Sequence, residues 1–167
     1  MLTLDFILLF IVLGFVILGL FLGFIHTLGA ILGVFVGVFV AGHIFEPIGE
    51  ALSFLFLGNT NMAKWVVFII IYLFVNRLFG VIFWLAKTFL KILFVIPFVK
   101  SLDRLAGAVL GFGEGVLSLS AILYIAIQFP LKESMVSLLG SSSFAKYLLV
   151  VAKILIPLLP DSLQKMI

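Results

Sequence analysis

Between Phe6 and Ile25 the chain runs for twenty positions without a charged or strongly polar side chain. About 20 apolar residues are what an α-helix needs to cross the hydrocarbon core of a bilayer. Three further stretches of similar character follow, from about Leu28 to Ile44, from Ala63 or Trp65 to Leu85, and from Arg104 to Gln128. Only 10% of the 167 residues are charged, 65% are apolar, and the mean hydropathy is +1.48. A water-soluble domain would carry roughly 25% charged residues, so lipid is the solvent this sequence is written for. The expected fold is an all-α integral membrane protein with about four transmembrane helices in a small bundle plus interfacial amphipathic helices.

The punctuation between the runs supports four crossings. Only His26 and Thr27 separate the first two spans, which forces an antiparallel hairpin. From Glu46 to Lys64 the chain carries Pro47, Gly49, Glu50, Gly58, Asn59, Thr60 and Asn61, the charges and turn formers of an extramembrane loop. The third span contains Asn76 and Arg77 near its middle. About fifteen large apolar side chains at roughly −0.3 to −0.6 kcal/mol each outweigh one Arg at about +2.5 to +3.5 kcal/mol, so the span still inserts. Lys87 and Lys91 then sit four apart on an apolar helix that resembles an interfacial continuation. Residues 1–128 thus form a transmembrane domain and residues 129–167 a C-terminal interfacial helical tail. Within that tail Phe144 to Ile156 places Lys146 and Lys153 two turns apart, with a short fifth crossing as the alternative.

Charge informs orientation. The net charge of +3 is dispersed, which argues against nucleic acid as a partner and leaves the bilayer as the principal one. Lys87, Lys91, Lys100 and Arg104 surround the third connection, and the positive-inside rule draws that connection to the cytoplasm. The tail, with Lys132, Lys146, Lys153 and Lys165, favours the same side. Two topologies therefore stay open.

Small residues recur at every fourth position. Gly29, Gly33 and Gly37 line the second span, Asp5, Gly19 and Gly23 share a face of the first, and Asp103, Gly107, Gly111, Glu114, Ser118, Ala121 and Gln128 fall on one face of the fourth. In lipid such stripes bring backbones together, because apolar side chains gain little by leaving lipid tails. They predict a tight bundle or a homo-oligomer. Arg77 and Glu114 are the ionisable residues deepest in the predicted spans, and they are candidates for an intramembrane ion pair, either structural or lining a polar pathway.

Catalytic chemistry finds no foothold. With no cysteine, thiolate nucleophiles and sulfur-ligated metals are excluded. His26 and His43 stand about 25 Å apart along one helix, too far to share a metal, and no serine has a histidine at useful spacing. The glycines lie within lipid-length helices and not after a strand, which excludes a phosphate-binding loop. A non-enzymatic protein without cofactor or metal is expected.

The early Asp5, the segment Gly19-Leu20-Phe21-Leu22-Gly23-Phe24 ending span one, and Asp103-Arg104 leading to Gly107, Gly111 and Gly115 together resemble the colicin V production (CvpA) family. The resemblance covers about residues 1 to 128. Where the family often carries a basic residue before the second glycine of each motif, this chain has Leu22 and Glu114. The resemblance implies a multi-pass protein of the bacterial cytoplasmic (inner) membrane that supports peptide-toxin production or export, or another envelope function, as a homo-oligomer or with other envelope proteins. A small transporter or channel, with a polar pathway along the fourth helix, is the competing expectation.

Overall fold

A computed structural model of the chain describes residues 2–89, 97–128 and 139–164. Four long helices form the body: α1 (Leu2–Leu22), α2 (Phe24–Ala51), α3 (Thr60–Phe89) and α4 (Pro97–Gln128). Each contains an apolar stretch long enough to cross a membrane. Two shorter helices follow, α5 (Ser143–Ala152) and α6 (Asp161–Gln164), with 3₁₀ turns at Ser53–Phe56 and Ile156–Leu158. No strand occurs among the described residues.

The hairpin between α1 and α2 turns on one residue. Gly23 adopts φ 84° and ψ 176°, a backbone region essentially reserved for glycine. His26 and Thr27, expected as the connection, instead lie in the first turn of α2, and the Thr27 hydroxyl donates to the Gly23 carbonyl at 2.9 Å. What lets the helix start so early is a cap from another helix. The Phe24 N–H donates to the Asp103 carboxylate of α4 at 3.0 Å, satisfying one of the donors that a helix N-terminus leaves open.

The loop expected over Glu46 to Lys64 is also shorter than its composition suggests. α2 continues through Pro47 to Ala51 and α3 starts at Thr60. Proline removes one backbone donor near the helix end, while tertiary contacts hold the turn in place. Gly49 is pressed against Lys64, where an added Cβ would stand 2.7 Å from the Lys64 Cα, and the Lys64 ammonium meets Glu50 at 2.8 Å. Leu57 and Gly58, both with positive φ, reverse the chain. Asn59 then caps α3 by accepting from the Met62 N–H at 3.0 Å. At 1.5 Å per residue the 28 residues of α2 span about 42 Å, longer than the roughly 30 Å hydrocarbon layer. The charges of the expected loop therefore fit on a helix end beyond the hydrocarbon.

Neighbouring residues define the directions. Gly29 meets Phe83, Gly33 meets Asn76, Gly37 meets Tyr72 and Gly49 meets Lys64, so α2 and α3 are antiparallel. Gly19 meets Gly107 and Gly111, and Phe15 meets Gly111 and Gly115, so α1 and α4 are antiparallel. α2 and α4 run parallel, from the Phe24–Asp103 cap to Val38 beside Ala121 and Ile125. α4 and α2 are central and α1 is peripheral, with 61% and 50% of their apolar windows buried against 17%. One core joins α2, α3 and α4 around Val34, Phe45, Phe68, Tyr72 and Ile125. A second joins α1, α4 and α5 around Leu8, Val12, Leu119, Leu123 and Leu148.

The tail closes one end of this bundle. α5 buries Ala145, Leu148 and Ala152 and exposes Lys146 and Tyr147, and Lys153 at its C-cap is exposed as well. Its ten residues extend about 15 Å, half of what a crossing requires. Beyond it Leu159 enters the notch at Gly42, and the Tyr124 hydroxyl donates to the Leu163 carbonyl at 2.8 Å. The interfacial helix expected around Lys91 falls on residues 90–96, outside the described residues, while Lys87 belongs to α3 and Pro97 opens α4.

The two classes of glycine make a matched test. A Cβ at Gly107 would overlap the Gly19 carbonyl and stand 2.7 Å from the Gly23 carbonyl carbon, whereas one at Gly14 would meet nothing within 4 Å. Gly107→Val is expected to lower stability in detergent by about 1–3 kcal/mol, the usual cost of overpacking. Gly14→Ala should leave thermal unfolding unchanged or slightly raise its midpoint. Equal effects of the two substitutions would contradict the packing described.

Candidate functional site

The motif residues do two kinds of physical work, close approach and capping. On α1 and α4 the glycines face one another directly. An added Cβ at Gly19 would overlap the Gly107 carbonyl, one at Gly111 would overlap the Phe15 carbonyl, and one at Gly115 would stand 2.9 Å from the Phe15 Cβ. Gly29, Gly33 and Gly37 do the same for α3. A Cβ at Gly33 would come within 3.0 Å of the Asn76 Cα and one at Gly37 within 3.1 Å of the Tyr72 ring. Two positions outside the predicted stripes complete this second seam: Gly49 against Lys64, and Gly80 against the buried His26 ring. Gly80 follows Tyr72 and Asn76 at four-residue intervals, a pattern present in the sequence but masked there by the bulk of its companions.

The two aspartates are both used as remote helix caps. Asp103 opens the second glycine motif and is buried, holding the Phe24 N–H as described. Arg104 beside it is exposed. Asp5, expected on one face of α1 with Gly19 and Gly23, reaches the start of α5. Its carboxylate accepts from the Ser142 hydroxyl and from the Phe144 N–H, the latter at 3.1 Å. Ser142 is itself the N-cap of α5 and accepts from the Ala145 N–H at 2.9 Å. A carboxylate near a helix N-terminus also meets the positive end of the helix dipole. Thus each aspartate ties the start of a helix distant in sequence to α1 or α4.

A third arrangement crosses the gap between α3 and α4, whose backbones approach at few points. The Tyr72 hydroxyl donates to Ser118 at 2.6 Å, and the Asn76 side chain donates to the Tyr72 oxygen at 3.3 Å. The Glu114 carboxylate is hydrogen-bonded by Asn76 and feels the charge of Arg77. Glu114 is half-buried, whereas Arg77 lies exposed on the flank of α3. The ion pair expected between Arg77 and Glu114 is not a direct contact: Glu114 feels Arg77 only through its charge and is hydrogen-bonded by Asn76 instead, which with Tyr72 and Ser118 makes a polar row. In a water-excluded layer such a row is stable because each buried polar group has a partner.

The buried hydroxyls of α4 and the exposed imidazole of His43 are held in hydrogen bonds. Ser118 is engaged by Tyr72, Ser120 donates to the Val116 carbonyl at 2.6 Å, and the exposed His43 ring nitrogen lies 2.7 Å from the Phe39 carbonyl. Among the described residues no group of three His, Cys, Asp or Glu side chains converges as a metal site. What the motifs build is a polytopic α-helical membrane protein whose helices are joined by glycine contacts and aspartate caps. The profile of the colicin V production protein family matches residues 4–153, and the chain belongs to that family. The match passes beyond the first 128 residues into α5, the helix that Asp5 caps.

The chain is also 34% identical over 101 residues to the uncharacterized transmembrane protein YshB of Bacillus subtilis (strain 168). That alignment takes in 59% of this chain and 54% of the relative, so the chain spans about half the length of the protein it matches. No solved structure matches.

The caps predict separable defects. Asp103→Ala strips the start of α2 and should destabilise the bundle by about 0.5–2 kcal/mol, read as a lower midpoint of thermal unfolding in detergent. Asp5→Ala should release α5 while α1 to α4 stay folded. Limited proteolysis checks this through faster cleavage near residues 139–143 with an unchanged transmembrane core. Simultaneous loss of both would show that α5 is integral to the bundle.

Proposed function

We propose that this protein is a non-enzymatic component of the bacterial cytoplasmic membrane that supports peptide-toxin production or export, or another envelope process, by acting as a structural element within the bilayer. The observation that carries this reading is the use of the polar motif residues. Asp5 and Asp103 are spent on helix termini, and the motif glycines on backbone contact. A protein whose motif serves its own assembly acts through the surface it presents, with the lipid bilayer and other envelope proteins as its partners and no cofactor.

A second reading, a small transporter or channel, is favoured by the polar row from Glu114 through Asn76 and Tyr72 to Ser118. Ionisable residues at such depth commonly mark ion or proton pathways. Substitution separates the two. In a structural element, Glu114→Gln and Ser118→Ala lower folded yield and toxin export together. In a transporter they abolish flux at normal yield.

For orientation, Gly23, Asp103, Lys100 and Arg104 mark one end of the bundle, and the 52–59 turn and α5 mark the other. The positive-inside rule places the first end in the cytoplasm. Reporter fusions at residues 55 and 95 are then expected to register opposite compartments, with a fusion after α5 matching residue 55. A fusion after α5 that matches residue 95 would require another crossing.

A further inference from the structure

We infer that two copies of this chain pair through the flank of α3 that carries Arg77, with the Arg77 and Glu114 of each copy meeting the Glu114 and Arg77 of the other. The inference rests on the four-span architecture and is independent of any role in toxin export.

Arg77 lies nine residues before the end of the α3 span at Ala86, roughly 14 Å along the helix axis and so close to the middle of the bilayer. It is exposed there, on a surface that also exposes Ile70, Leu73 and Phe74. Facing lipid, an arginine at mid-depth is among the most costly side chains a span can carry. Glu114 reaches it only through its charge and is itself hydrogen-bonded by Asn76, which leaves the five N–H donors of the guanidinium in need of acceptors. The second copy is the occupant that answers this need at the right depth. The Tyr72–Ser118 hydrogen bond joins the antiparallel α3 and α4, and Arg77 and Glu114 lie five and four residues from it toward the same end of the bundle, so acid and base stand at one level of the membrane. A two-fold interface is isologous, the same patch facing itself. With its axis along the membrane normal, the rotation keeps depth and brings a patch holding an acid beside a base onto its complement. The apolar Ile70, Leu73 and Phe74 then pack around two reciprocal pairs.

The chain has no cysteine, so single cysteines report contact without a background. Leu73→Cys lies one turn from Arg77 on the same flank, and Phe10→Cys lies on the exposed face of α1, where Phe10 is 76% exposed. In native membranes under mild oxidation, Leu73→Cys is expected to give at least tenfold more covalent dimer than Phe10→Cys. Equal yields, or dimer from Phe10→Cys alone, would overturn the assignment.

The charges are tested by mixing. Two differently tagged chains, one carrying Arg77→Glu and the other Glu114→Arg, are each expected to lose pairing when expressed alone. Co-expressed, they should co-purify at least tenfold above either self-pair, because only the mixed dimer matches acid with base. If Arg77 pairs within its own chain, or with a lipid phosphate, mixing restores nothing. That result overturns the proposal, and the cysteine measurement on the native charges decides the case in which either swapped chain fails to fold.

Discussion

In a bilayer the burial of apolar surface no longer drives helices together, because lipid tails are as apolar as the side chains they would replace. Association must come from close contact and from polar groups that have nowhere else to turn. Both sources are concentrated on α4 of this chain. Its first half is notched by Gly107 and Gly111, against which the α1 backbone rests. Its N-terminal Asp103 holds the start of α2, and its Ser118 and Glu114 reach α3. Its second half supplies Leu119 and Leu123 to the core beneath α5. The remaining elements are arranged around this helix, and α1, the most lipid-exposed, depends on it almost entirely.

The glycine seams differ in what they admit. Between α1 and α4 both sides are small, and backbone meets backbone. Between α2 and α3 one side is small and the other large, so that Phe83 and Tyr72 fill notches left by Gly29 and Gly37. The second arrangement adds aromatic packing, seen where Phe68 stacks on Tyr72 with ring centroids 6.2 Å apart. It also leaves the hydroxyl of Tyr72 directed at α4, which is how a packing residue becomes part of the polar row.

Much of this was legible in the sequence, for reasons that can be named. The apolar runs marked four helices because no other structure satisfies its backbone in lipid. The four-residue spacing of Gly107 and Gly111 marked a seam because a helix face repeats at that interval. Helical periodicity describes one helix at a time, however, and the errors follow from that. Asp5 shares a face with Gly19 on a helical wheel, yet its partner is the end of α5, which no periodicity in α1 can reveal. Gly23 carried the signature of a packing residue, and its positive φ was invisible until the hairpin was seen. Pro47, Gly49 and Glu50 have loop composition, but contact with Lys64 keeps them helical. Asn76 is neutral and sits beside the charged Arg77, so nothing in the sequence singles it out as the partner of Glu114.

The two aspartate caps also order events during synthesis. Asp5 is bonded to Ser142 and Phe144, and the N–H of Phe24 waits for Asp103. At 5–20 residues per second, roughly 7 to 27 seconds separate the making of Asp5 from that of Ser142. Through that interval a carboxylate sits near the start of an inserted helix without its final hydrogen bonds, and the α1–α2 hairpin lacks both the cap and the glycine face of α4. The hairpin must therefore be received by lipid, by the insertion machinery or by a chaperone before its own chain completes it. Early and late segments are locked by the same two residues, so a nascent chain that stalls before α4 is not a smaller version of the bundle.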